Sequence, residues 1–228
     1  MQKKRRIDAS HLMTDTRMKA VDNFRYTQDL RRSISNNVGL FEDKRQSSEG
    51  LRTAAVAVTI FEHEGDAAII VTKRSTKLRD HSGQWAMPGG RLDAGENAVE
   101  AALRELHEEV NLELNLDHVL GTLDDYITRS GYVITPVVVW ADIDDRHLEP
   151  NPDEVASIHP FTFPELTRED SPNLESIPES EKLVLSMNYL NDVIYSPTAA
   201  MLYQFREVGI LGNPTRVLDY DQPVFAWR

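Results

Sequence analysis

The 228-residue chain contains no cysteine. That excludes disulfide bridges, thiolate metal sites and cysteine nucleophiles, and it fits a reducing compartment such as the cytoplasm. No run of 18 apolar residues occurs, so no helical membrane span is expected. The basic start MQKKRRIDAS has no apolar stretch behind it and does not read as a secretory signal. Positive charge is also scarce. The net charge is −12, which argues against a broad nucleic-acid-binding face. There is no G-x-x-x-x-G-K-[ST] loop and no G-x-S-x-G elbow, so neither a Walker-type nucleotide site nor a serine hydrolase is indicated.

What remains is an ordinary globular composition, long enough for one sizeable domain with additions. The charge is uneven. Residues 1–50 hold 11 basic and 7 acidic side chains, whereas the rest hold 14 and 30. A basic arm of this kind could dock on the acidic body or on a partner subunit, which leaves a homodimer open, or it could be a solvated helical extension. Residues 10–38 read as mainly helical, from Met18, Val21, Phe24, Leu30, Ile34 and Val38, and a polar linker follows. From residue 51 the texture changes. TAAVAVTIF and AAIIVTKR are strand-like and joined by the turn EHEGD, while HVLGTL and YVITPVVVWADI are further strands. Helices are expected again from about 180. Leu183, Val184, Met187, Leu190 and Ile194 suggest one, and a second has Ser196 as N-cap, Pro197 in its first turn and Gly209 as its stop. The expected domains are therefore a helical extension and linker over 1–50 and an α/β domain over 51–228.

Chemistry concentrates between Gly89 and Leu112, in GGRLDAGENAVEAALRELHEEVNL. As a helix, its second half puts Val99, Leu103, Leu106 and Val110 on one core-facing stripe and Glu105, Glu108 and Glu109 on nearly the opposite side. The glutamates repel one another at i,i+4, and near a helix C-terminus they also oppose the helix dipole. Either they form a solvated acidic face, or they serve a hard divalent cation, which prefers clustered oxygen ligands. Gly90 is followed after five residues by Glu96, and after seven more by Arg104-Glu105, Leu106, Glu108-Glu109, Asn111 and Leu112. This resembles the Nudix box, G-x5-E-x7-R-E-U-x-E-E-x-G-U, with U a bulky apolar residue. The one departure is Asn111 where the pattern has Gly, and Asn is the next-best residue for a left-handed helix stop.

The resemblance implies an α/β/α sandwich with a mixed sheet and a hydrolase of nucleoside diphosphates linked to another moiety. It further implies Mg2+ or Mn2+ held by Glu105, Glu108 and Glu109, with the Gly90 carbonyl as a further ligand. The cation would shield the phosphates and activate the attacking water. Arg104 would orient a carboxylate, and Gly89 and Glu96 would be structural. Upstream, VTKRSTKLRDHSGQWAMPGG is similar to the extra motif of the coenzyme A pyrophosphatase branch, L-L-T-x-R-[SA]-x3-R-x3-G-x3-F-P-G-G. Thr72, Arg74, Ser75, Arg79, Gly83, Pro88, Gly89 and Gly90 match, and Met87 replaces Phe. Lys73, Arg74, Lys77 and Arg79 would then grip substrate phosphates, with His81 and Trp85 beside them. Downstream, Glu154 in the segment NPDEV is a candidate extra ligand or general base. The implied substrate is a small-molecule diphosphate, coenzyme A or a thioester of it. Two alternatives are another Nudix specificity, such as ADP-ribose, a dinucleotide or a nucleotide sugar, and a non-catalytic binding module.

Overall fold

The computed structural model describes residues 24–77 and 83–227. Strand β1, Arg52–His63, sets the architecture, because its side chains alternate between two cores. Val58 and Ile60 enter one core, while Ala55, Ala57 and Phe61 enter the other. The turn at Glu64-Gly65 leads to β2, Asp66–Arg74, which pairs antiparallel with β1. Short strands β3, Trp85–Ala86, and β4, Gly89–Arg91, follow. Next come β5, Val119–Thr122, β6, Tyr126–Ile127, β7, Tyr132–Asp144, and β8, Val155–Thr162. The sheet runs β3-β2-β1-β7-β5, with β4 also on β1, β6 on β7 and β8 on β2. The β1–β7 pair is parallel and the others are antiparallel, so the sheet is mixed.

Helices cover both faces, giving the expected α/β/α layering. Helix α1, Gln28–Leu40, places Ile34 and Val38 in the first core. Helix α2, Ala98–Val110, lies on the opposite face. Its Ala101 and Ala102 meet Ala55, Ala57 and Ala68, and these small side chains let helix and sheet approach closely. A single turn, α3, Phe163–Leu166, and helix α4, Thr198–Phe205, join α1 on the first face.

The segment after 180 differs from the sequence expectation. Instead of a helix, β10, Val184–Tyr189, and β11, Asp192–Tyr195, form a hairpin, with β9, Asn173–Glu175, on its other edge. The helical spacing was misleading, since Leu183 and Leu190 are exposed while Val184, Leu185, Ser186, Met187 and Tyr189 are buried, as in a short strand covered on both faces. Only α4 remains of the C-terminal helices. Ser196 does not cap it, because its hydroxyl donates to the Leu185 carbonyl at 2.9 Å. Nor does Gly209 stop it. Gly209 lies in a widened turn over Arg206–Ile210, and the positive φ, +67°, belongs to Gly212. At the other end, α1 begins at Gln28, residues 24–27 are extended, and the part of the expected helix before residue 24 lies outside the described residues.

Helix α2 is defined at both ends. Asn97 and Glu100 form a reciprocal capping box, and Asn111 closes the helix at φ 55°, ψ 33°. The Asn111 and Leu112 amides return to the His107 and Leu106 carbonyls. Asn111→Gly is therefore expected to change the unfolding free energy by less than about 1 kcal/mol, whereas Asn111→Val costs about 1–2 kcal/mol for a β-branched residue in the left-handed region. Urea denaturation midpoints at constant slope check both values.

Candidate active site

The acidic residues of α2 do not share a solvent face. Glu105 is 8% exposed and Glu109 3%, while the Glu108 side chain is half exposed. The expected core stripe was too narrow. Leu106 and Val110 are buried, but Val99 and Leu103 are only partly so, and Ala101 and Ala102 complete the buried side. The helix thus turns Glu105 and Glu109 inward, toward β4 and the end of β2. A Cβ at Gly90 would overlap Glu105 Oε1, and one at Gly89 would overlap the Ala55 carbonyl and Val56. The two glycines therefore let β4 run between β1 and the carboxylates.

Arg104 organises the acidic cluster. It donates from Nε to Glu96 Oε1 at 2.9 Å and from Nη2 to Glu96 Oε2 at 3.1 Å. Its Nη1 reaches Glu105 Oε1 and Glu108 Oε2, each at 2.9 Å, and its Nη2 also reaches the Arg91 carbonyl. The Arg104 hydrogen bond holds Glu96 below the usual carboxylate range, and Glu96 in return accepts the Asp93 amide. Burial raises Glu105 despite Arg104. Glu109 is pushed up to about 8, chiefly by burial; Arg74 opposes this, and Glu105 and Glu154 add to it. Among the described residues, no three acidic or histidine side chains already converge on one point, and Arg104 draws Glu105 and Glu108 to itself.

Glu154 reaches this cluster through the backbone. The last carbonyls of α2, of Glu109 and Val110, accept the amides of Asn151 and Glu149, and the Ser75 amide donates to the Glu154 carbonyl at 2.8 Å. The segment from 149 to 154 is thereby clamped between α2 and the end of β2, which brings the Glu154 charge within reach of both Glu105 and Glu109.

The basic motif residues are mostly occupied by the protein's own carboxylates. Lys73 lies 3.2 Å from Asp192 and over the Trp85 ring, and Lys77 lies 3.0 Å from Asp153. Arg74 approaches Glu109 at 3.9 Å, and its Nε is buried without a hydrogen-bond partner. Trp85 belongs to the face away from α2. It packs edge-on against His159 and Tyr189, and its Nε1 donates to Asp192 at 2.9 Å. A cleft of about 200 Å3 opens beside it, between Gly83 and Phe225, smaller than the roughly 300 Å3 at which small-molecule pockets begin. Arg79 and His81 lie outside the described residues.

Sequence reasoning passed over Asp192, hidden in the segment read as helix, and over Arg52, Arg91 and Tyr132. Arg52 and Tyr132 face each other across the β1–β7 register, and Ala54, two residues on, faces Arg91. Only strand pairing reveals that neighbourhood. Arg91 alone had a local signal, its place directly after Gly90.

A NUDIX domain model matches residues 51–180. An uncharacterized Nudix hydrolase, NudL, of Pectobacterium atrosepticum is 36% identical over 157 residues, covering 67% of this chain and 80% of that protein. Nudix hydrolase 3 of Caenorhabditis elegans is 36% identical over 121 residues, covering 51% of this chain and 49% of that one. Among solved structures, a MutT/nudix family protein from Enterococcus faecalis aligns at TM-score 0.42 and 18% identity, over 64% of this chain and 51% of that one. The chain belongs to the Nudix hydrolase family. Members of that family act on small-molecule diphosphate substrates and generally use divalent metal ions. Among the described residues, no helix is long and apolar enough to cross a membrane.

The buried carboxylates also fix a pH dependence. Burial pushes Glu109 up to about 8, well above the usual carboxylate range, so from that range up to about pH 8 the native state binds more protons than the unfolded chain. Stability must then fall as pH rises through that window. The metal-free protein should melt several degrees lower at pH 8.5 than at pH 6, and Glu109→Gln should flatten much of that slope; calorimetry in chelator checks both.

Proposed function

We propose that the protein hydrolyses the pyrophosphate bond of coenzyme A or its thioesters, releasing 3′,5′-ADP and a phosphopantetheine product. The observation that carries the hydrolytic reading is the burial of both Glu105 and Glu109 on the inward side of α2, with Glu105 against Gly90. Two inward carboxylates held above their usual pKa are an unmet demand for positive charge. The donor set is oxygen only, which suits Mg2+ or Mn2+ rather than a soft metal. Glu105, Glu109 and the Gly90 carbonyl are the residues that would hold the ion, with Glu108 and Glu154 at the rim. Bound there, the cation supplies charge neutralisation and Lewis acidity at the diphosphate.

The chain's own residues supply the rest. Arg104 holds Glu96, Glu105 and Glu108 at once, which keeps these carboxylates gathered beside β4 until Glu105 and Glu108 exchange part of that contact for an ion. Arg74 approaches Glu109 only to 3.9 Å, through Nη1, so its guanidinium is less committed than the paired lysines and is suited to a phosphate oxygen. Glu154 is our candidate for the general base that takes a proton from the attacking water. It stands at the mouth of the same cluster, and its backbone is pinned to Ser75 of the motif.

Support for coenzyme A over other diphosphates comes from the motif, with Thr72, Arg74, Ser75, Pro88, Gly89 and Gly90 all in the strands and turns that border the carboxylates. A binding-only module has no use for a buried carboxylate pair that opposes folding at neutral pH. Turnover of coenzyme A, dephospho-coenzyme A and ADP-ribose with Mg2+ or Mn2+ tests the reading. A coenzyme A preference with 3′,5′-ADP as product is expected, and preference for ADP-ribose by orders of magnitude would overturn the substrate. Glu109→Gln should lower kcat by roughly 10²-fold or more without lowering the melting temperature, in line with losing a principal charge-stabilising group. Wild-type turnover in that variant would refute the metal assignment.

A further inference from the structure

The basic residues expected to grip phosphate are largely neutralised from within, yet two guanidiniums nearby are not. Arg52, at the start of β1, and Arg91, at the end of β4, are both exposed, and among the described residues neither has a carboxylate within ion-pair distance. Both are mounted on one side chain. The Arg52 guanidinium carbon sits 3.9 Å from the centre of the Tyr132 ring and that of Arg91 5.5 Å from it. Arg91 donates from Nε and Nη2 to the Tyr132 hydroxyl at 2.9 and 2.7 Å, and Arg52 donates from Nη2 to the Ser130 carbonyl at 2.8 Å. The two cations therefore lie no farther apart than about a Debye length, roughly 8–10 Å in physiological salt. In a chain of net charge −12, carboxylates are plentiful, and an adjacent like-charged pair without one is a conspicuous local cost.

Strand register connects this pair to the reaction site. Arg91 follows Gly90, whose far side abuts Glu105, and the Arg91 carbonyl accepts Arg104. The Arg91 side chain takes the opposite face of β4, the face that Arg52, Ala54 and Tyr132 share across β1 and β7. The cationic fork thus begins one residue along β4 from Gly90, on the other face of that short strand.

The geometry points to an anion subsite: Arg52 and Arg91, braced by Tyr132, bind a phosphomonoester carried by the substrate in addition to the diphosphate that is cut. A phosphomonoester carries a charge of about −1.5 to −2 at neutral pH and three acceptor oxygens. Two guanidiniums, each with uncommitted N–H groups, match that charge and that oxygen set. Bracing on the ring and on Ser130 O limits the freedom lost on binding. The identity of the substrate rests on the proposed coenzyme A reading, in which the 3′-phosphate is this group, whereas the subsite itself can be tested without turnover.

Titration calorimetry with 3′,5′-ADP and 5′-AMP, which differ only in the added 3′-phosphate, measures the subsite directly. The wild-type protein should bind 3′,5′-ADP at least tenfold more tightly, with a steeper salt dependence, and Arg52→Ala/Arg91→Ala should bring the ratio close to one. Tyr132→Phe, which removes the hydroxyl but keeps the ring, should reduce the ratio in part. In turnover, the ratio of kcat/KM for coenzyme A over dephospho-coenzyme A should fall at least tenfold in the double variant, and Arg52→Lys/Arg91→Lys should restore part of it. A wild-type protein that binds the two nucleotides equally, or a double variant that keeps the wild-type ratio while folded, overturns the subsite. A wild-type protein that cleaves neither coenzyme A nor its dephospho form overturns the proposed substrate instead, and leaves the calorimetric result to decide the subsite.

Discussion

The structure depends on a confrontation between two carboxylates and a sheet. Glu105 and Glu109 are on the buried side of α2, where ordinary packing would place leucines. Their desolvation is tolerable because Arg104 meets Glu105 at 2.9 Å and Arg74 lies 3.9 Å from Glu109. Neither contact satisfies the charge fully, since burial still wins and both carboxylates are raised. A fold built for stability alone would gain by replacing the pair with apolar residues of similar volume. Under the proposed metal-binding role, folding itself gathers the carboxylates, so that cost is not left to the ligand.

Neighbouring features follow from that confrontation. The helix must lie close to the sheet for the carboxylates to reach β4, hence the alanines at the α2–sheet interface. β4 must pass under them without side chains, hence Gly89 and Gly90. The helix must end where the 149–154 segment can clamp it, and Asn111 provides that stop in a left-handed conformation. Asn151 and Glu149 then cap the exposed carbonyls and carry Glu154 into place.

Much of this was legible in the sequence because it is local. The box spacing located the helix, and the asparagine substitution was readable as a cap. The short apolar runs TAAVAVTIF and AAIIVTKR, joined by a turn, marked β1 and β2, and the layered class followed. What was not legible depended on partners distant in the chain. The inward turn of Glu105 and Glu109 was hidden because Ala101 and Ala102 carry little weight in a hydrophobic stripe, yet they define the buried side. The 183–195 hairpin was read as a helix because exposed Leu183 and Leu190 fell at helical spacing with Val184, Met187 and Ile194, and a strand buried on both faces has no alternation to give it away. The motif lysines looked like a free cationic patch because Asp192 and Asp153, which neutralise them, come 119 and 76 residues later.

That last point changes how an acidic protein can recognise an acidic substrate. With net charge −12, long-range attraction cannot deliver a diphosphate to the site, and local charge must do so. Lysines already paired with aspartates offer little net field, although their hydrogen bonds can still be exchanged. Unpaired guanidiniums offer both field and directed donors, but a protein keeps them separate from its own carboxylates only by fixing them elsewhere. Tyr132 does this for Arg52 and Arg91 through its ring face and its hydroxyl, interactions that leave the positive charge intact. Cation–π contact and a phenolic acceptor thus do what a salt bridge cannot: they hold an arginine in position without spending its charge.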